Sequence, residues 1–128
     1  NNCIKLGEYL QSHPKIASVN YPGLKGNENY LLSLKQFNGQ PGAIMTFDLN
    51  SKEASFKFYN QLQLIRRATN LNDNKTLIIH PFSTIYAEFP ESERIEMGIR
   101  DTMLRMSVGR EDVNDLINDI SQALEKVN

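Results

Sequence analysis

The stretch Met103-Leu104-Arg105-Met106-Ser107-Val108-Gly109 sets the strictest condition on any fold this chain can adopt. A strand alternates its side chains, so Leu104, Met106 and Val108 share one face while Met103, Arg105 and Ser107 share the other. The first face is wholly apolar and demands a core. The second carries a guanidinium that keeps its charge at any physiological pH. Such an arginine extends to solvent, pairs with a local carboxylate, or receives an anion whose two oxygens match its fork. The residues alone leave all three open.

The rest of the chain supplies the partners this strand needs. Cys3, Leu6 and Leu10 stand at helical spacing in a segment that ends at His13-Pro14. An extended piece, Lys15 to Val19, leads into the turn Tyr21-Pro22-Gly23, and a second helix is predicted from about Glu28 to Phe37, stopped by Asn38-Gly39. Ala43 to Leu49 alternates, with Ala43, Met45, Phe47 and Leu49 on one side. Asn50 with Glu53 resembles a capping box for a helix running to about Gln61. Leu64 to Ala68 and Thr76 to His80 read as two strands separated by the turn formers Asn70 to Asn74. Pro90-Glu91 opens a short helix closed by Gly98, and a last helix from about Asp112 aligns Val113, Leu116, Ile117, Ile120, Leu124 and Val127. Strands joined through turns, with helices between and after, predict an α+β domain: a small, mostly antiparallel sheet of about four strands covered by helices on one side.

Bulk properties narrow the function classes. At 128 residues the chain makes one domain, residues 1–128, large enough for a single core. A net charge of -1 and the lack of any basic stripe argue against nucleic acid, and no apolar run is long enough for a membrane span. One cysteine, Cys3, excludes an internal disulfide framework and suits a reducing, cytoplasmic setting. His13 and His80 stand far apart without a second cysteine, so no metal site is expected. The opening Asn1-Asn2-Cys3 runs directly into a helical pattern, as a segment of a longer polypeptide would.

No phosphate loop, dinucleotide fingerprint or nucleophile elbow is present. His80 and Ser83 are neighbours in sequence, an arrangement more typical of a turn hydrogen bond than of a nucleophile with its base. Glu91, Glu93, Glu96 and Asp101 read as a solvated face, and Lys75 lies in a turn with nothing to desolvate it. No residue here is expected to be catalytic.

Three blocks together carry more. Val19-Asn20-Tyr21-Pro22-Gly23-Leu24, the run from Ala68 to Thr84, and the run from Leu104 to Ile117 occur in order and at matching spacing. In these blocks the chain resembles the C-terminal domain of the cystathionine γ-synthase-like family of pyridoxal phosphate enzymes. The runs Asn72-Asp73-Asn74-Lys75-Thr76-Leu77 and Ile79-His80-Pro81-Phe82-Ser83-Thr84 look most like its O-acetylhomoserine sulfhydrylases. Asn72, Phe82 and Arg110 depart from the usual pattern.

The resemblance implies a target for Arg105: the α-carboxylate of an amino-acid substrate, with Asn70 bordering it and His80 to Thr84 shaping the adjoining pocket. It implies γ-replacement of acetate by sulfide to give homocysteine, with O-acetylhomoserine and sulfide as substrates, pyridoxal phosphate as cofactor and a homo-oligomer, a tetramer, as the assembled enzyme. Cystathionine γ-synthase, cystathionine γ-lyase and methionine γ-lyase belong to the same family, and a free-standing, non-catalytic binding module with this fold is the reading from a different class. The family is about three times as long. Its cofactor-binding lysine and phosphate-binding residues lie in a large domain that this chain lacks. The isolated chain is therefore expected to bind no cofactor and to be inactive.

Overall fold

A computed structural model describes residues 2–28, 30–37, 42–67, 75–84 and 86–127, the side chains of 33, 34, 36, 37, 66 and 67 excepted. Along the chain these form α1 (Asn2–Ser12), β1 (Ile16–Asn20), α2 (Tyr30–Phe37), β2 (Ile44–Leu49), α3 (Lys52–Gln61), β3 (Arg66–Arg67) and β4 (Leu77–Ile79). A 3-10 turn (Pro81–Ser83), α4 (Glu91–Glu96), β5 (Met103–Ser107) and α5 (Val113–Glu125) complete the chain.

The sheet runs β1-β2-β5-β4-β3, so the strand carrying Arg105 is its centre. β1 with β2, β2 with β5 and β5 with β4 are antiparallel. The expected mostly antiparallel sheet is present, with five strands among the described residues. β3 is the exception, lying parallel to β4. Its direction is imposed upstream. The carboxylate of Asp119 on α5 accepts from the backbone N–H groups of Gln63, Leu64 and Ile65, each at 2.8 Å, so the chain enters β3 from the helical layer.

Alternation places side chains as the sequence requires. Met45, Phe47 and Leu49 of β2 and Leu104 and Met106 of β5 are buried in one core with Leu6 and Leu10 of α1. Phe58 of α3 meets Phe47 edge to face, with ring centroids 5.9 Å apart, a favourable aromatic geometry. Leu116, Ile120 and Leu124 close the core from α5. α1 and α3 both pack against α5, forming the helical cover on this side.

Helix ends follow local chemistry. Asp112 caps α5 by accepting from the Asn114 N–H at 2.8 Å. Lys15 sits at the other end of that helix, donating to the carbonyls of Leu124 and Val127 at 2.7 and 2.6 Å, where a cation complements the dipole. At α3 the cap is Ser51, whose hydroxyl accepts from the Ala54 N–H at 3.0 Å, not Asn50. The capping-box spacing is one residue off because the strand runs through Leu49 and Asn50 is still in the connection.

Cys3 is buried against Tyr21, and burial pushes its thiol up to about 11 although the Tyr21 hydroxyl partly offsets this by hydrogen bonding. A thiol so far above neutrality holds almost no thiolate. Alkylation by iodoacetamide at pH 8 is therefore expected to be slower on the folded chain by on the order of 100-fold than on the urea-unfolded chain. Comparable rates would contradict this burial.

Candidate functional site

Strand register builds the site around Arg105. Across the central strand Arg105 stands opposite Thr46 on β2 and Ile79 on β4. One step along the same face, Ser107 stands opposite Ile44 and Leu77; one step the other way, Met103 stands opposite Asp48. Leu77, Ile79, Met103 and Ser107 are buried, and Arg105 itself is half-buried. The arginine thus stands among buried, mostly apolar neighbours on this face.

Asp48 is the one acid in the five strands, and it lies on this face. It is committed elsewhere. Arg100 grips it in bidentate fashion, Nε to Oδ2 and Nη2 to Oδ1, both at 2.8 Å. Thr102 donates to Oδ2 at 2.7 Å and Ser18 to Oδ1 at 3.3 Å. Burial raises the Asp48 carboxyl, but the hydrogen bonds from Arg100, Thr102 and Ser18 and the Arg100 charge outweigh it, leaving the group below its ordinary value. Arg105 has no hydrogen-bond or ion-pair partner among the described residues. Of the three fates open to this arginine, a strand-face ion pair is removed, and the half-burial disfavours simple extension into water.

A pH dependence follows from Asp48. Its folded-state value is depressed, so its contribution is complete above the unfolded carboxylate value of about 3.9 and is lost as pH falls through the lower folded value. Asp48→Asn is expected to destabilise the chain by roughly 1–3 kcal/mol at pH 7, through loss of charge-assisted hydrogen bonds. Urea melts should show this difference shrinking below pH 4; an equal difference at pH 7 and pH 3 would refute the ionic account.

The segment after β4 frames one side of the site. His80 is buried, its ring 4.5 Å from that of Phe56. Its Nε2 faces the Asp101 carbonyl oxygen at 2.6 Å, and a carbonyl only accepts, so Nε2 carries the proton. Nδ1 then accepts from the Ser83 hydroxyl at 2.7 Å. The structure does bring Ser83 and His80 together, but a backbone carbonyl orients the ring, and the Thr84 hydroxyl donates to the His80 carbonyl at 2.8 Å. These bonds wind the 3-10 turn, as expected from residues so close in sequence.

At the far end of β5, Glu111 accepts from the Thr76 N–H at 2.8 Å and its hydroxyl at 2.8 Å, while the Thr76 hydroxyl oxygen accepts from the Gly109 N–H at 2.9 Å. This network clamps the exit of the Arg105 strand to the start of β4. Glu91, Glu93 and Glu96 are exposed, as expected of a solvated face. Asn70, the residue expected beside Arg105, lies outside the described residues. Sequence reading missed Asp48, Arg100, Glu111 and Asp119. An acid at an alternating position of a central strand was the available signal for Asp48.

No three of His, Cys, Asp and Glu gather into a metal-binding group among the described residues, and no helix there is long and apolar enough to cross a membrane. Seven of the eight lysines are exposed and the eighth, Lys15, is tied to the carbonyls that end α5. None is buried, as a lysine joined covalently to a carbonyl cofactor in a closed site would be. The lysines by themselves therefore offer such a group no enclosed point of attachment.

Known proteins share this sequence and shape. O-acetyl-L-homoserine sulfhydrylase 1 of Thermus thermophilus is 39% identical over 124 residues, covering 96% of this chain and 30% of that protein. L-methionine γ-lyase of Fusobacterium nucleatum subsp. polymorphum is 40% identical over 127 residues, covering 98% of this chain and 32% of the lyase. The crystal structure of cystathionine γ-lyase from Lactobacillus plantarum, complexed with L-serine, superimposes with a TM-score of 0.89 at 32% identity, covering 99% of this chain and 33% of the lyase. The chain thus spans about a third of the length of the relatives it matches. The sequence model of the family described as Cys/Met metabolism PLP-dependent enzyme matches residues 1–125. A match over nearly the whole chain, in sequence and in fold, makes this protein a member of the Cys/Met metabolism PLP-dependent enzyme family.

Proposed function

We propose that this chain is the C-terminal, substrate-binding domain of a pyridoxal phosphate-dependent O-acetylhomoserine sulfhydrylase, with Arg105 as the anchor for the substrate α-carboxylate. The observation that carries it is Arg105, a half-buried residue whose guanidinium is unpaired among the described residues, on a sheet face whose carboxylate Asp48 is occupied by Arg100. A planar fork on a rigid central strand fixes both oxygens of a carboxylate and so the orientation of the Cα it bears. Asn70 borders the same carboxylate in this reading. The resemblance of its turn to the sulfhydrylases and the Thermus relative support the γ-replacement chemistry.

In the full-length polypeptide, pyridoxal phosphate would supply the electron sink, held by a large domain outside this chain. The domain described here then holds the substrate and contributes no covalent step, so the isolated chain is inactive and binds no cofactor. Sulfide replaces acetate at the γ-carbon of O-acetylhomoserine, giving homocysteine and acetate. The assembled enzyme is a cytoplasmic homo-oligomer, a tetramer. A γ-lyase activity on methionine or cystathionine is the second reading, favoured by the lyase relative at 40% identity.

The test uses the full-length polypeptide that contains this chain. O-acetylhomoserine with sulfide should yield homocysteine faster than methionine yields methanethiol; the reverse order selects the lyase. Arg105→Lys, which keeps the charge but loses the fork, should raise the KM for the amino acid about tenfold. A KM left unchanged removes Arg105 from the site.

A further inference from the structure

The turn after β4 is held by a residue to which the proposed chemistry assigns no part. Arg94, on α4, donates from Nη1 to the Phe82 carbonyl oxygen at 2.6 Å, and its guanidinium carbon lies 3.9 Å from the centre of the Phe82 ring. One side chain thus grips both the backbone and the ring of a single buried residue. Its Nε is buried without a hydrogen-bond partner, so the residue keeps an unsatisfied polar group in return for that grip. Simple packing would favour an apolar side chain here.

Arg94 is itself rigidly placed. Its N–H donates to the Pro90 carbonyl at 3.1 Å and its carbonyl accepts from the Ile99 N–H at 2.9 Å. The latter bond spans the end of α4, where Gly98 adopts φ 79°, the left-handed turn that closes a helix. The same connection then reaches Asp101, whose carbonyl accepts from His80 at 2.6 Å, and enters β5 at Met103. The turn Pro81–Ser83 packs against β5. Arg94 and His80 therefore fasten, from two sides, the turn that adjoins the strand of Arg105.

We propose that Arg94 is a positioning residue: by clamping Phe82 it holds the turn against β5 and keeps water from the flank of Arg105, strengthening carboxylate binding without touching substrate. The inference rests on Arg105 acting as the carboxylate anchor. Loosening the turn wets the guanidinium, and a wetter charge binds its counter-charge less tightly and is screened more by salt.

The informative variant is Arg94→Met in the full-length polypeptide. It keeps an unbranched stem over Phe82 and removes the bond to its carbonyl together with the unsatisfied Nε. Three results are expected. The urea midpoint stays near that of the parent, because a buried polar misfit leaves along with the bond. Amide exchange at Ser83, Thr84 and Tyr86, whose N–H groups close the turn, speeds up while that of α5 does not. KM for the amino acid rises about tenfold and grows more sensitive to ionic strength, while kcat stays within about twofold. Arg94→Lys, which can reach the carbonyl or cover the ring but not both, should fall between the two. Unchanged amide exchange would mean that Arg94 does not hold the turn. Faster exchange with an unchanged KM would leave it a structural residue only. Arg105→Ala run alongside separates these failures from failure of the anchor, since that variant alone losing no affinity condemns the underlying reading.

Discussion

Arg105→Ala in the full-length polypeptide should lower kcat/KM for the amino-acid substrate by on the order of 2–4 kcal/mol, roughly 30- to 1,000-fold. The magnitude follows from where the charge sits. Leu77, Ile79 and Met103 are buried around it, so the substrate carboxylate gives up water on arrival and depends on the fork for compensation. Without the guanidinium a desolvated carboxylate faces an apolar floor. Half-burial keeps the figure below that of a fully buried pair. A carboxamide analogue of the substrate supplies the control, because wild type and variant should bind it with similar affinity. Equal losses for acid and amide would point to a collapsed site, and no loss for either would end the anchor reading.

Periodicity made the face of Arg105 legible, because alternation is a purely local rule and β5 obeys it through its whole length. The α5 stripe was legible for the same reason, and so was the Gly98 stop of α4. What escaped was long-range polar pairing. Asp119 flanks the apolar stripe of α5 beside Leu116 and Ala123, and only the folded chain brings residues 63–65 within its reach. Asp48 occupies a strand position whose partner, Arg100, arrives from a connection 52 residues away. The cap of α3 fell to Ser51, not Asn50, because both residues are good caps and the strand end decides between them. Arg105 itself shows the limit: its strand was visible, but that no carboxylate among the described residues pairs with it was not. That fact depends on Arg100 having already taken Asp48.

Asp119→Ala is expected to destabilise the chain by on the order of 3–5 kcal/mol in urea unfolding at pH 7. One buried carboxylate satisfies three consecutive backbone N–H groups and also accepts from the Gln122 amide at 3.1 Å. Alanine offers no acceptor, so the donors of residues 63–65 must be left unmet or the segment must leave the helical layer. Asp119→Asn should recover little. Its one amide oxygen cannot serve donors on both sides, and its N–H₂ would face another N–H. Domains of this size have total stabilities of about 5–15 kcal/mol, so the alanine variant approaches the folding threshold. The damage should begin at one edge. Residues 63–65 deliver the chain into β3, which among the described residues pairs only with β4, so amide exchange should accelerate first at β3 and β4 and last in β1. Because Ile79 of β4 stands beside Arg105, even a folded Asp119 variant should bind the amino-acid carboxylate less tightly. A loss of less than about 1 kcal/mol, or exchange that accelerates uniformly, would show that Asp119 does not secure this edge of the sheet.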